Sequence, residues 1–324
     1  MNTDRRRTNA PSAGTAALVF ARTVKEPGYL QSLRPSRTRE PDELRRIFLQ
    51  TNLIPSATGS AYYEIPLPRS PTTSTLIPST STLKILASVQ GPKPLPRSAP
   101  FSPTLLLTTT VKFAPFATRH RRGYIRDSVE RDLGVHVESA LRGVIIGERW
   151  PKSGVDVVLT ILEADEDGWW GDGNAGKGDG SGWGLLNVLA GCITVASAAI
   201  ADAGIDCVDL VAGGVAAMVK KGEGKEGEVV KVLDPSPTDH KDIVAACAVG
   251  YLAGRDEITE MWMKGNVGAA SDELVEGAIY ASLGNLGVMK EVLLETLKSK
   301  IRAAGQEDVD QTKGSPPGDV EMTG

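Results

Sequence analysis

Residues 124–162 read YIRDSVERDLGVHVESALRGVIIGERWPKSGVDVVLTIL, and residues 185–212 read LLNVLAGCITVASAAIADAGIDCVDLVA. In the first stretch Leu133, Val137, Ala140, Leu141, Val144 and Ile145 recur at helical spacing, and Asp127 with Glu130 three residues on forms a capping box ahead of them. That pattern predicts a helix with one apolar stripe, packed on something flat. Val155, Val157 and Leu159 then alternate with Asp156, Val158 and Thr160, and Ile161 and Leu162 continue the run, as in a largely buried strand. Leu185–Ala203 is made of small and branched apolar residues, a second helix able to lie close to a sheet, with Gly204 as its stop. The order is helix, strand, helix, strand.

Outward from this unit, residues 41–50 predict a short helix with Leu44, Ile47 and Phe48 on one side. Strands are predicted at 62–67, 83–89 and 105–113, rich in Thr, Val and Leu, with prolines between them. Residues 70–82, SPTTSTLIPSTST, read as an expanded surface loop. Downstream, 209–220 and 229–233 form a hairpin around KKGEGKEGE, 243–252 and 257–264 continue the meander, and Ser271 is placed to cap a final helix running to about Ile301.

The 324 residues are 41% apolar and 23% charged, an ordinary globular composition. No run of apolar residues reaches the length of a membrane span, and MNTDRRRTNAPSAG lacks the apolar block of a secretory signal, so an intracellular protein without membrane contact is expected. Cys192, Cys207 and Cys247 lie far apart in apolar segments and read as buried small side chains rather than a disulfide framework or metal motif.

The formal charge of −4 hides an asymmetry. From Ile65 to Arg126 there is no Asp or Glu, against nine basic residues: Arg69, Lys84, Lys93, Arg97, Lys112, Arg119, Arg121, Arg122 and Arg126. The remainder carries 27 bases against 40 acids, or −13. Such a local field suits a polyanion held at one face, and Phe113, Phe116, His120 and Tyr124 add rings suited to stacking unpaired bases. A solvated basic loop or a subunit contact is the alternative.

Two motif matches fail on their chemistry. Gly171, Gly173, Gly176 and Lys177 approach a phosphate-binding loop, but Gly178 stands where Ser or Thr must hold magnesium. Asp165, Glu166 and Asp167 suggest a calcium loop, but Gly176 stands where a bidentate Glu is needed. That segment reads as a solvated acidic loop with Trp169, Trp170 and Trp183 tucked against the domain or a partner.

The stretches ERDLGVHVESALRGVII, WPKSGVDVVLTILEAD and ITVASAAIADAGIDCVDLVAG, in that order, resemble the core of the RNase PH family of phosphate-dependent 3′ exoribonucleases. GSAYYEIP, ILASVQGPKPLP and LDPSPTDH resemble the family's opening hairpin, its Gly-Pro turn and its carboxylate-bearing strand, so the likeness covers about residues 57–300. It implies an α+β fold, the RNase PH-like (ribosomal protein S5 domain 2-like) two-layer β-α-β-α sandwich. A single domain over 41–303 is expected, with insertions near 68–82, 166–183 and 221–228 and disordered tails at 1–40 and 304–324.

Phosphorolysis needs an arginine fork on phosphate, carboxylates and a magnesium ion. By gapless counting, the arginine of active relatives falls on Leu189, and the aspartates that follow their Leu-Asp motif, here Leu233 and Asp234, fall on His240 and Ala246. Asp239 is one residue from the first of these. His240 itself reads as part of an exposed loop rather than a general acid. The resemblance therefore implies no catalytic residue, no metal site and no cofactor, as in the non-catalytic ring subunits of the RNA exosome, with an active exoribonuclease as the alternative. Implied partners are other RNase PH-like subunits of a six-membered ring, S1/KH-type cap subunits and RNA, in nucleus, nucleolus and cytoplasm. Lys93, Arg97, Arg119, Arg121, Arg122 and Arg126 are the RNA-binding candidates.

Overall fold

Strand β4 (Leu106–Phe113), helix α1 (Ser128–Arg142) and strand β5 (Ser153–Glu163) form a crossover that lays β5 parallel to β4 in a computed structural model of the chain. The structure describes Arg34 and residues 37–66, 82–118, 121–169, 182–221, 228–240 and 242–313. The glycine-rich motif matches at 171–178 and most of the three expected insertions lie outside the described residues. Strands β1 (Phe48–Thr51), β2 (Gly59–Ile65) and β3 (Leu83–Pro94) complete a five-stranded sheet in the order β1-β2-β3-β5-β4. The second sheet, antiparallel throughout, holds β6 (Val211–Lys221), β7 (Glu228–Leu233), β8 (Ile243–Leu252) and β9 (Glu257–Gly265) in the order β7-β6-β8-β9.

Helix α2 (Trp183–Asp202) lies between the sheets, and α3 (Ser271–Lys313) covers the outer face of the second. Each sheet thus has its own helical cover, and the layers alternate sheet, helix, sheet, helix. The inner face of the first sheet, from Ala61, Tyr63 and Ile65 to Ile85, Ala87 and Val89, meets α2 and the β6 side chains Val211 and Val215 in one core. A smaller cluster joins Ala216, Leu233, Cys247 and Val249 to Leu274 and Ala278 of α3. Cys192 and Cys247 are buried and Cys207 half-buried, all three as free thiols.

The middle layer explains a departure from the sequence reading. Helix α2 is long and apolar enough to cross a membrane, yet 89% of its apolar window is buried inside the protein. A helix touching a sheet on either side must be apolar all round, so length and composition alone misdescribe it. Gly204, at φ +71, stands at its end as expected.

Sheet β6 comes unusually close to both helices. A Cβ on Gly213 would stand 2.2 Å from the Ala190 carbonyl oxygen in α2, and one on Gly214 would stand 2.3 Å from the Ala278 carbonyl oxygen and the Ser282 nitrogen in α3. Successive strand residues face opposite ways, so this Gly-Gly pair admits one helix on each face. Side chains fix the approach: the Gly213 amide donates to Thr194 Oγ1 (2.9 Å), and Asn285 Nδ2 donates to the Gly213 carbonyl (2.8 Å).

The capping box forms as the spacing predicts. Asp127 caps α1, and the Glu130 side chain, 1% exposed, accepts from the Asp127 amide (3.0 Å), the Phe113 amide (2.9 Å) and Lys112 Nζ (3.1 Å). One carboxylate thereby ties β4 to the start of α1. Glu130→Ala, which strands a buried amide and an ammonium, is expected to cost about 3 kcal/mol, read as a lower urea midpoint at unchanged slope.

Three boundary expectations need correction. Residues 41–47 are not helical, because their backbone is committed elsewhere: the Leu233 amide donates to the Pro41 carbonyl (2.8 Å), Arg37 donates to the carbonyls of Glu40, Pro41 and Glu43, and the Arg45 amide donates to Asp234 (2.9 Å). Phe48–Thr51 is instead an edge strand on β2, and residues 37–40 belong to this strap rather than to a mobile tail. Ser271 is itself helical (φ −58, ψ −46), and its hydroxyl bonds the Asp272 carboxylate rather than a free amide. Helix α3 continues past Ile301 to Lys313, short of the prolines at 316 and 317.

Candidate functional site

The strap brings an arginine to Asp234. Arg45 grips Asp234 bidentately, Nε to Oδ2 at 2.8 Å and Nη2 to Oδ1 at 2.7 Å, while Nη1 reaches Asp165 Oδ2 at 3.2 Å. Asp165 follows β5 directly, and Asp234 follows β7 at a strained φ of +47. From α2, Asn187 Nδ2 donates to Asp165 Oδ2 and to the Pro235 carbonyl, both at 2.7 Å. Its Oδ1 is buried without a hydrogen-bond partner among the described residues. Four segments far apart in sequence are thus clamped at one point.

The electrostatics follow from burial. Burial opposes charge on Asp234, but Arg45 and Arg39 outweigh it and hold the carboxyl below the usual range. Burial likewise opposes charge on Arg45, and Asp234 with Asp165 outweighs it, so the guanidinium is held still more firmly protonated. Asp239 goes the other way: burial prevails over Arg45 and Arg39, with Asp165 adding to it, and its carboxyl rises. Arg37, buried and close to Arg39, is lowered to about 10.

His240 is not on an exposed loop, which corrects the sequence reading. Residues 235–238 are buried, Arg34 Nε donates to the Thr238 carbonyl (3.3 Å), and Ser236 and Thr238 bond each other (2.8 Å). Burial, then Arg37, Arg39 and Arg34, lower the imidazole to about 4, and its Nε2 is buried with no hydrogen-bond partner among the described residues. Polar residues on paper become interior here because the strap covers them.

Leu189 is fully buried inside α2. Ala246 lies within β8, 2% exposed and paired with Ala217 and Lys264. Neither position faces an open seat. The cavity lined by Arg45, Tyr63, Asn187, Asp234 and Asn285 measures about 10 Å³, room for one water and too small for phosphate. Among the described residues no three His, Cys, Asp or Glu side chains are grouped to hold a metal ion.

The basic candidates scatter by role. Lys93, at the end of β3, is paired with Asp156. Arg122 stacks on the Phe113 ring (4.3 Å to its centroid) and faces Asp127 at 3.7 Å. Arg126 lies across Gly134 of α1, and its Nε is buried. Lys84 and Lys112 are likewise paired, with Glu163 and Glu130. The acid-free stretch is therefore partly neutralised by carboxylates from β5 and α1. Arg97 and Arg121 are exposed, with no ion-pair partner among the described residues, and Arg119 lies outside those residues. Of the rings, Phe113 is fully buried, while Phe116 (74%) and Tyr124 (64%) are exposed; His120 lies outside the described residues. Trp169 is buried, and His136 stacks on Trp262 and bonds Glu260 (2.9 Å).

Sequence reasoning missed Arg45, Asp165 and Asn187. One signal was available: Asn187 is a lone amide in an otherwise apolar helix, and such a group is buried only when something bonds it.

A β-α-β-α sandwich with a carboxylate at the end of β7 defines the class. Residues 43–206 match the 3′ exoribonuclease family, domain 1 (RNase PH), and the chain belongs to that family. It is 47% identical over 300 residues to the exosome complex component MTR3 of Chaetomium thermophilum, across 91% of this chain and 99% of that protein. It is 28% identical to the exosome complex component mtr3 of Schizosaccharomyces pombe, across 76% and 82% of the two chains. The exosome complex component Rrp41 of Pyrococcus abyssi is also 28% identical, across 83% and 90%. The fold matches the crystal structure of rice (Oryza sativa) Rrp46 with a TM-score of 0.57 at 17% identity, over 79% of this chain and 98% of that one.

Proposed function

We propose that the chain is a non-catalytic RNase PH-like ring subunit of an RNA exosome, acting in 3′–5′ RNA processing and degradation, ribosomal RNA maturation and mRNA surveillance included. The observation that carries the loss of catalysis is the closed network at Asp234. Arg45, Asp234 and Asp165, groups of the kind phosphorolysis would need, are spent on one another, with space for a single water beside them. A likeness to MTR3 over 99% of that protein supports the exosome assignment. On this reading the partners are other RNase PH-like subunits, S1/KH-type cap subunits and RNA, in nucleus, nucleolus and cytoplasm.

One observation favours the other reading, an active phosphorolytic exoribonuclease. Asp239, its carboxyl raised, lies near Arg39, Arg45 and Asp165, and a protonated acid there could serve a leaving 3′ oxygen. The cavity beside Asp234, too small for phosphate, weighs against it. Incubating the purified chain, alone and in the reconstituted ring, with single-stranded RNA, phosphate and magnesium is expected to release no nucleoside diphosphate attributable to it. Release that Asp239→Asn abolishes would overturn the proposal.

A further inference from the structure

We infer that the outward side of α3 is a self-association surface, on which a second copy of this chain lays its own α3 antiparallel. The inference concerns the chain outside any ring and does not rest on the reading above.

Helix α3 is apolar on two opposite sides. The inner side carries Leu274, Ala278, Ala281, Leu286 and Met289, all buried against the rest of the fold. The outer side carries Tyr280 (61% exposed), Leu283 (43%), Leu294 (54%), Leu297 (54%) and Ile301 (62%). With Gly287 and Lys290 between them, these positions are spaced three, four, three, four, three and four apart. That is the seven-residue repeat that keeps one apolar stripe facing a partner helix. The stripe runs roughly 32 Å along the helix, far more than a scattering of single exposed side chains. Its last turns are pinned from the inner side: Thr296 Oγ1 bonds Thr51 Oγ1 (2.8 Å), and Lys300 Nζ donates to Asp202 (2.7 Å). At the middle, nothing lies within 4 Å of a Cβ built on Gly287, so a second helix can approach its bare backbone closely. Lys290, the polar member, can lay its stem along the stripe and keep its ammonium in water.

Charge selects the occupant and its direction. From Asp272 to Tyr280 there is no base, and Asp272, Glu273 and Glu276 are exposed. From Lys298 to Arg302 there is no acid, and Lys298 and Arg302 are exposed. Glu276, Lys298 and Arg302 have no ion-pair partner among the described residues. The stripe is thus acidic at its start and basic at its end, with Glu291 and Glu295 lying between. A parallel copy would set like charges together. An antiparallel copy sets Tyr280 against Leu297 and Leu283 against Leu294, and brings Glu276 of each chain beside Lys298 and Arg302 of the other. The two helix dipoles then oppose, which favours the same direction. A helix of another protein would have to carry both the apolar repeat and this polarity; a second copy supplies them already.

The test is sedimentation equilibrium of the purified full chain over a concentration series, expected to show a reversible dimer. Leu294→Glu and Leu297→Glu, at exposed positions, are each expected to weaken it about tenfold or more while the urea midpoint stays at the native value. Glu276→Lys is expected to weaken it about threefold, and adding Lys298→Glu and Arg302→Glu to the same chain to restore it. A native chain that stays monomeric overturns the inference, and if its leucine variants then lose a ring neighbour, this side of α3 belongs to that subunit instead. A dimer indifferent to the leucine variants uses another surface and overturns it too. Loss on leucine replacement without recovery in the charge-swapped chain rejects the antiparallel docking.

Discussion

Replacing Arg45 by alanine is expected to lower stability by about 3–5 kcal/mol, because it leaves Asp234 and Asp165 buried without their counter-charge. The wild-type guanidinium makes three side-chain bonds to these two carboxylates and is itself nearly enclosed. Arg45→Lys should recover only part of the loss, since one ammonium cannot reproduce a bidentate fork and a third bond. The dependence on pH separates this from simple loss of packing. In the native chain the Asp234 carboxyl sits below its ordinary value, so its contribution is fully present above the unfolded carboxyl range, near pH 4, and is lost as pH falls through the lower folded value. Between pH 7 and 5 it adds no slope. In Arg45→Ala burial of Asp234 is opposed chiefly by the more distant Arg39, so its carboxyl should rise and the variant should gain stability as pH drops from 7 to 5. Urea midpoints at the two pH values decide it; a variant as stable as the native chain, or one with no such gain, would show the network to be incidental.

Gly213→Ala and Gly214→Ala are the second pair with large expected effects. Overpacking a core usually costs about 1–3 kcal/mol, and here the new methyl meets helix backbone rather than a side chain that can turn away, so about 3 kcal/mol or more is expected. In Gly213→Ala α2 must move away from β6, breaking the bond from the Gly213 amide to Thr194; in Gly214→Ala the displaced helix is α3. Gly123→Ala is the control: nothing lies within 4 Å of its added methyl, and its stability should match the native chain. Thermal midpoints of the three variants test the claim, and a Gly213→Ala protein melting with the control would reject the close approach of helix and strand.

The fold was readable where its causes are local. The capping box at Asp127 and Glu130, the 3.6-residue stripe from Leu133 and the alternation from Val155 each act within a few residues, and each emerged as drawn. The strap at 37–47 was not readable, because what bends it is Asp234, 189 positions away, and an amphipathic pattern cannot announce that its backbone is bonded elsewhere. The same distance hid the site. Asp234 was visible as a motif residue, but Arg45 looked like the polar face of a helix, and Asp165 like the start of an acidic loop. The basic stretch misled in a different way. Sequence counts nine cations without an acid among them, and the fold then sets carboxylates of β5 and α1 against four of them.

The 189-residue gap between Arg45 and Asp234 also orders events at the ribosome. The strap leaves the exit tunnel before any of the nine described strands beyond it is complete, yet its anchor is β7. Until β7 has emerged, Pro41 has no Leu233 amide to accept from and Arg45 has Asp165 but not its bidentate partner Asp234. The strap is therefore fastened late, as a latch drawn across elements made before β7.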